Sequence, residues 1–535
     1  MAQGTFKHIL GWRWTCHLYT LIGAICLFHL VAFQGPLLGY ARSVGSSGVQ
    51  IVSLQILQLC LLGSILLLLA AISVRLMKGV AVCLIVANAS ALYFMQSYQI
   101  ELDLTMITNI FGTNTGQASE LWHWTLGVYV LGLGVVPAVL IFAARPRCPA
   151  RIWRLLSGFA IFGTLLVWLF ATAHTWLWYD QHATRMGARI LPWSYIVNTG
   201  RFFNKQASAN RVQILLPDAT FLADPVQKEI VVLVLGEAAR AASFGIYGYD
   251  RDTNPFTAQT DLFALPVGRS CATYTIGSMA CILTHEGRAA SGRTTFEPLP
   301  SYMTRSGVHT IWRSNSGGTP PFKADVIARA SEIAAACVGD DCPQGRLDDA
   351  LFYKVDDLLT QTDANRILLV LHQTGSHGPR YFEKYPPAFE AFTPVCATVQ
   401  VGTCSRQELF NAYDNTIRYT DYLLADLIGQ LQNVPNADTV MIYVSDHGQS
   451  LGEDGFYLHG TPPAIAPDVQ QEVPFLVWMS DSFQKNRGIT SADVIPLQSF
   501  PHDFPFHSVM GAFGMRSDIY KPQYDIFGAR TAIDG

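Results

Sequence analysis

The chain has 535 residues, 50% of them hydrophobic and only 14% charged, against about 25% charged in an average soluble domain. Its 36 Lys and Arg against 40 Asp and Glu leave a formal charge of −4, so there is no basic excess to meet a nucleic acid. A mean hydropathy of +0.24 argues against both a disordered chain and an ordinary soluble enzyme. The length allows roughly two to four domains, each with its own core.

The apolar residues crowd into the front third. No Asp, Glu, Lys or Arg lies between Arg13 and Arg42, Arg42 and Arg75, Lys78 and Glu101, Glu120 and Arg145, or Arg154 and Asp180. Each gap covers the roughly 20 residues a helix needs to cross a bilayer. Five spans are predicted, near 16–38, 50–72, 79–97, 124–144 and 154–173. A buried soluble helix explains one such run far better than five. No small-residue cleavage site ends the first span, which argues against a removed signal peptide. Lys7 and Arg13, then Arg75 and Lys78, then Arg145, Arg147, Arg151 and Arg154 mark the inner side. The 98–123 loop carries Glu101, Asp103 and Glu120 without Lys or Arg, so it is expected outside. Arg42 is a minor exception. Five spans from an inner N-terminus put everything after residue 174 outside.

The cysteines divide along the same line. Cys16, Cys26, Cys60, Cys83 and Cys148 belong to the apolar part. The other six fall as close pairs, Cys271/Cys281, Cys337/Cys342 and Cys396/Cys404. Local pairs on the outer side suggest short-loop disulfides in an oxidising compartment. A thiolate metal site is the alternative, although the spacing does not resemble a zinc ribbon.

Residues 174–229 mix Trp176, Trp178 and Trp193 with Arg185, Arg189, Arg201 and Lys205. Two readings stand side by side: a segment on the outer lipid surface, or a plain linker of helices and loops. From residue 230 the pattern changes. IVVLVLG (230–236), RILLVLH (366–372), TVMIYVS (439–445) and VPFLVWM (473–479) read as buried strands. Helix-capable polar segments at 322–337, 347–360 and 406–433 separate them. The pattern is α/β with a covered, mainly parallel sheet.

Sites in such sheets lie beyond the carboxyl ends of strands. Here those ends carry Glu237, then His372 and His377, then Asp446 and His447. Each has a plain reading alone, such as a helix-start charge or a hydrogen-bonded histidine. Gathered together they are what Zn²⁺ or a similar ion needs. Thr273, Thr275 and Ser278 lie between Cys271 and Cys281. A hydroxyl there serves as a helix cap or as a nucleophile, and a threonine nucleophile needs a metal or base to attack.

Several longer stretches together resemble one family. They are MITNIFGTNTGQASEL (106–121), VLGEAARAASFGIYGYDRDTNP (234–255), SCATYT (270–275), LHQTGSHGPRYFEKYP (371–386), FTPVC (392–396), NAYDNTI (411–417), YVSDHGQSLGEDGFYLHG (443–460) and APDVQQEVPF (466–475). In this order they look like the phosphoethanolamine transferases that modify lipid A, a family that includes the mobile colistin-resistance enzymes. That family lies within the alkaline phosphatase and sulfatase superfamily.

The resemblance implies a five-helix transmembrane domain over 1–173, a bridging periplasmic linker over 174–229 and a periplasmic sulfatase-like catalytic domain over 230–535. It implies a bacterial inner-membrane enzyme that moves phosphoethanolamine from phosphatidylethanolamine to lipid A. By likeness, Glu237, Thr275, Asp446 and His447 match the ligands of a catalytic zinc, and Thr275 the nucleophile. His377 and His459 match groups that hold the substrate phosphate or a second zinc. Asn109, Thr113 and Gln117 match positions facing the donor. Cys271–Cys281, Cys337–Cys342 and Cys396–Cys404 match family disulfides.

The chain also departs from the family. Gln117 stands where a glutamate is usual, removing a charge that would pair with the ethanolamine ammonium. WRSNSGGTP (312–320) replaces a stretch like DNNSGCKG and lacks its lysine and cysteine. SMAC (278–281) and GEAAR (236–240) differ from SVPC and GETAR. These departures leave the expected zinc ligands intact and put donor or acceptor selectivity in question. The rival readings are a related phosphotransferase with another donor or another envelope acceptor, a sulfatase or phosphodiesterase, and a non-catalytic membrane scaffold. Ile276 and Gly277 after Thr275 do not fit the C/S-x-P-x-R signature of simple sulfatases.

Overall fold

The computed structural model describes residues 14–112, 121–172, 179, 182–183, 185–209, 213–290, 296–339, 341–494 and 502–528, with the side chains of 205–209 outside that set. Thr113 and Gln117 therefore lie outside the described residues, as do Trp176 and Trp178. The chain divides into two compact units. One comprises 1–107 and 122–201, the other 108–121 and 202–535. The 174–229 stretch is split between them, and residues 108–121 of the 98–123 segment belong to the second unit.

The first unit is helical. Among the described residues, four helices are long and apolar enough to cross a membrane: Gly48–Ile72, Val74–Tyr98, Trp124–Ala143 and Arg151–Ala171. The fifth expected span is a pair, Leu18–Phe33 and Gly35–Ser43, bent by 54°. Pro36 sits in the first turn after the bend, where its missing N–H breaks the hydrogen-bond ladder. The count is thus four, or five with the bent pair as one span. Pro137 acts similarly within Trp124–Ala143. A π-helical turn, Val130–Val135, precedes it and absorbs the lost bond. Ser47 and Gln50 cap Gly48–Ile72 reciprocally, satisfying two orphan donors. Phe142, Phe159, Val167 and Phe170 are exposed on these helices, the surface expected where lipid rather than protein is the neighbour.

The second unit holds a seven-stranded sheet. Its strands in chain order are β1 (Lys228–Gly236), β2 (Phe263–Ala264), β3 (His309–Ser314), β4 (Val326–Arg329), β5 (Arg366–His372), β6 (Ala437–Ser445) and β7 (Phe475–Met479). They lie side by side as β2-β7-β6-β1-β5-β3-β4. The run from β6 to β4 is parallel, while β7 pairs antiparallel with both β6 and β2. All four predicted strands are present, and β2, β3 and β4 are additions. Residues 231–235 of β1 are at most 1% exposed, which explains their unbroken apolar run: a central strand is covered on both faces. Each such side chain contributes roughly 1.5–3 kcal/mol through burial.

The helix Arg406–Gln432 covers one face. Leu409, Ala412, Tyr413, Thr416, Ile417, Thr420, Leu424, Leu427 and Leu431 are buried at three- and four-residue spacing, the stripe of an amphipathic helix. Ser405 and Glu408 form its capping box. Three disulfides close short loops in this unit: Cys271–Cys281, Cys337–Cys342 and Cys396–Cys404. The free cysteines Cys16, Cys26, Cys60, Cys83 and Cys148 all belong to the first unit.

Candidate metal and phosphoryl-transfer site

The two central strands β1 and β6 run parallel in register, with Ser445 beside Gly236. Their next residues, Glu237 and Asp446, therefore leave the sheet together. The Asp446 N–H donates to the Gly236 carbonyl at 2.9 Å, and the Ala238 N–H donates to Asp446 Oδ1 at 3.0 Å. Ala238 takes a left-handed φ of 55°, at a cost of roughly 1 kcal/mol for a residue with a Cβ. The Ala239 and Arg240 N–H groups, bonded to Ser445 Oγ and Tyr413 Oη at 2.9 and 3.0 Å, hold that turn.

Thr275 opens the helix Thr275–Ile282, whose cap residue is Tyr274. Its hydroxyl is thus not the helix cap. Thr275 Oγ1 lies 3.2 Å from both Glu237 carboxylate oxygens and 3.4 Å from His447 Nε2. His447 Nε2 is 3.2 Å from Glu237 Oε1 and 3.3 Å from Asp446 Oδ2. Ligand atoms of Glu237, Asp446 and His447 all lie within 4.8 Å of one another, the one such group among the described residues.

These donors fit a divalent cation. Two carboxylates are fully buried together, and Asp446 Oδ2 accepts no hydrogen bond. Burial raises the Asp446 pKa, and the neighbouring Glu237 charge raises it further. Burial also acts upward on Glu237, but the hydrogen bond and charge of His447 outweigh it and bring that carboxyl down. His447 is pushed down by burial and more strongly up by Asp446 and Glu237, to about 9. The cluster therefore concentrates negative charge that one imidazolium only partly offsets. Oxygen and imidazole donors of this number and type suit Zn²⁺, which displaces the proton on binding. Thr275 Oγ1 lies within 3.4 Å of the Glu237 and His447 donors.

Other imidazoles border the cluster. The His459 ring centroid is 4.3 Å from that of His447 and 5.1 Å from that of His377. Burial, with His447 and His377 adding to it, pushes the His459 pKa well down. Asn109 Nδ2 approaches His459 Nε2 at 3.5 Å. Of the three donor-facing positions suggested by the sequence, Asn109 is thus brought to the cluster, and Thr113 and Gln117 lie outside the described residues. His372 is not one of the group. Its Nδ1 lies 3.2 Å from Ser314 Oγ, and burial holds its pKa down at about 4.

Asp348, which no sequence signal marks, and residues of the 312–320 and 371–386 stretches complete the surroundings. Asp348 accepts from the Thr374 and Gly375 N–H groups at 2.9 and 2.8 Å and from Asn315 Nδ2 at 2.9 Å. It thereby shapes the loop that leads to His377. Gly375, at φ 48°, lies so close to Glu237 that a Cβ would meet its carbonyl oxygen at 2.7 Å. Ser316 Oγ donates to Glu237 Oε2 at 3.3 Å. A Cβ at Gly318 would lie 3.1 Å from Thr275 Cγ2. The altered 312–320 stretch is therefore in contact with the cluster.

A mainly parallel sheet whose strand ends gather two carboxylates, an imidazole and a threonine hydroxyl defines a member of the alkaline phosphatase and sulfatase superfamily. Residues 229–515 match the sulfatase family and residues 59–207 match the family described as phosphoethanolamine transferase EptA/EptB. The chain is 33% identical to the phosphoethanolamine transferase EptA of Helicobacter pylori over 515 residues, covering 95% of each chain. It is 31% identical to the phosphatidylethanolamine transferase Mcr-1 of Escherichia coli over 471 residues, 83% of this chain and 85% of that one. The lipooligosaccharide phosphoethanolamine transferase A of Neisseria meningitidis has a similar structure, with a TM-score of 0.86 at 26% identity over 96% of this chain and 98% of that one. The chain belongs to the phosphoethanolamine transferase family.

Proposed function

We propose that the protein transfers phosphoethanolamine from phosphatidylethanolamine to a phosphate of lipid A, with Thr275 as nucleophile and zinc as cofactor. The observation that carries this reading is the Thr275 hydroxyl, 3.2 Å from both Glu237 oxygens and 3.4 Å from His447 Nε2 in a buried ligand cluster. Glu237, Asp446, His447 and Thr275 would hold the ion. When bound, Zn²⁺ supplies Lewis acidity that lowers the pKa of a ligating hydroxyl and offsets charge on phosphoryl oxygens.

The Thr275 oxygen attacks phosphorus of the donor. The bond from phosphorus to the diacylglycerol oxygen breaks, and diacylglycerol leaves with a proton. Phosphoethanolamine stays esterified to Thr275. A lipid A phosphate oxygen then attacks the same phosphorus, the Thr275 ester breaks, and the threonine hydroxyl is restored. Dividing the transfer lets two bulky lipids visit in turn. His377 and His459 border the cluster, where His377 steadies phosphate charge or protonates a departing oxygen and His459 turns its Nε2 to the same space. Asn109, 3.5 Å from His459 Nε2, touches the donor headgroup in this reading.

Both substrates are amphiphiles, which gives the apolar first unit its purpose. The N-terminus is cytoplasmic in this reading, and the second unit works in the periplasm at the outer face of the inner membrane. The three disulfides fit that oxidising compartment. Masking lipid A phosphate charge lowers the attraction of cationic peptides.

A second reading, another acceptor or donor headgroup, is favoured by one observation. Gly318 and Ser316 of the altered 312–320 stretch lie directly against Thr275 and Glu237. The deciding experiment offers zinc-loaded protein phosphatidylethanolamine with lipid A, and in parallel with core oligosaccharide. A phosphoethanolamine-sized mass gain on lipid A alone supports the first reading. Gain on the oligosaccharide alone replaces it with the second.

A further inference from the structure

His459 is held by a residue that the proposed chemistry leaves unused. Strand Ser450–Leu451 pairs antiparallel with Tyr457–Leu458, with Ser450 opposite Leu458. The next position outward therefore sets Gln449 opposite His459. Gln449 is fully buried, and His459 is 6% exposed. Gln449 Nε2 donates to Tyr381 Oη at 2.6 Å, which turns its Oε1 towards His459 Nδ1 at 2.8 Å. An amide oxygen only accepts, so Nδ1 carries the hydrogen. The neutral ring then has its lone pair on Nε2, the atom that Asn109 Nδ2 approaches at 3.5 Å. Each pair along Tyr381, Gln449, His459 and Asn109 has the polarity that the one before it requires.

We propose that Gln449 is a positioning residue that fixes His459 as its Nδ1–H tautomer, so that the Nε2 lone pair faces the Thr275 cluster and orients the Asn109 amide. In its neutral form His459 is then an acceptor towards the site, not a proton donor. The inference rests on the proposed function for its catalytic consequence, but not for the tautomer itself. Partners that orient an imidazole in this way typically change activity by about 10–100-fold when removed.

The test uses the full-length, zinc-loaded protein in detergent, labelled with ¹⁵N in its histidine side chains. The His459 signals are identified by their loss in His459→Asn. In the wild type, His459 shows a protonated Nδ1 and an unprotonated Nε2. Gln449→Met removes the acceptor and gives a mixture of tautomers, while Gln449→Glu keeps the acceptor and the wild-type pattern. In parallel, transfer from phosphatidylethanolamine falls about 10–100-fold in kcat for Gln449→Met, with KM and zinc content nearly constant. Gln449→Glu recovers most of that loss. Wild-type His459 protonated at Nε2, or Gln449→Glu as impaired as Gln449→Met, overturns the proposal. The expected ¹⁵N pattern in a wild type that transfers nothing refutes the function instead and leaves the tautomer assignment standing.

Discussion

Thr275 Oγ1 lies 3.2 Å from each carboxylate oxygen of Glu237, across a sequence separation of 38 residues. One residue directly follows the central strand and the other begins a helix. Their meeting turns a strand-end acid and an unremarkable hydroxyl into a site, because a carboxylate gripping a hydroxyl symmetrically leaves that oxygen facing any cation the carboxylate binds.

Removing one carboxylate separates metal binding from folding. Asp446→Asn keeps the acceptor for the Ala238 and His447 N–H groups, both bonded to Oδ1 at 3.0 and 2.7 Å. It removes a buried negative charge whose pKa burial and Glu237 push up. After chelation, the variant melts no lower than chelated wild type. In zinc it loses the metal-linked rise in melting temperature that wild type shows, and its zinc content drops. Chelated Asp446→Asn melting well below chelated wild type would contradict this account.

Gly375 and Gly248 share a left-handed backbone but not their surroundings. Gly375, at φ 48°, has no room for a Cβ beside the Glu237 carbonyl, whereas Gly248, at φ 91°, has nothing within 4 Å. Alanine at 248 costs roughly 1–2 kcal/mol from backbone strain alone. Alanine at 375 adds overpacking of about 1–3 kcal/mol and displaces Glu237, so transfer and zinc affinity fall with it. Denaturant unfolding of the two variants checks the order. Equal losses would show that the Glu237 contact is relaxed at no cost.

Stability also depends on two buried histidines outside the cluster. His502 Nε2 donates to the Ser445 carbonyl at 3.0 Å, and its Nδ1 accepts from the Cys271 N–H at 3.4 Å. His507 Nε2 donates to the His285 carbonyl at 3.0 Å, and its Nδ1 accepts from the Lys521 N–H at 3.3 Å. Each ring is thus needed neutral. Burial first of all brings their pKa values down from 6.5, to about 3 for His502 and about 4 for His507. A base depressed in the folded state gives stability that is full above its unfolded pKa of 6.5 and shrinks as pH falls towards the folded value. Between pH 7.5 and 5 each loses about 2 kcal/mol. Melting of chelated protein, which removes the metal's own pH dependence, falls over that range. A flat or rising curve contradicts the assignment.

The sequence made the large features readable. Charge-free runs mark the apolar helices because lipid tolerates few charges, and residues 230–236, 366–372, 439–445 and 473–479 announce central strands by burial on both faces. The same runs do not reveal strand direction, so antiparallel β7 was not distinguishable from its parallel neighbours. HTIWRS (309–314) and VIAR (326–329) lack a continuous apolar pattern because they lie towards the sheet edge, and they went unread. Glu237, Asp446 and His447 were legible as strand-end residues. His372 carried the same signal, yet its side chain is engaged by Ser314. Asp348 and Gln449 act through loop and hairpin geometry, which leaves no periodic trace. Thr275 stood out through family resemblance, since a hydroxyl near a helix start is ordinarily a cap.

The most direct measurement of the central claim is the intact mass of zinc-loaded protein incubated with phosphatidylethanolamine and no acceptor, beside Thr275→Ala. The account predicts a phosphoethanolamine-sized gain on the wild type, mapped to Thr275 and absent from the variant, which then disappears when lipid A is added. An equal gain on Thr275→Ala, or no gain on folded, zinc-bound wild type, would contradict it.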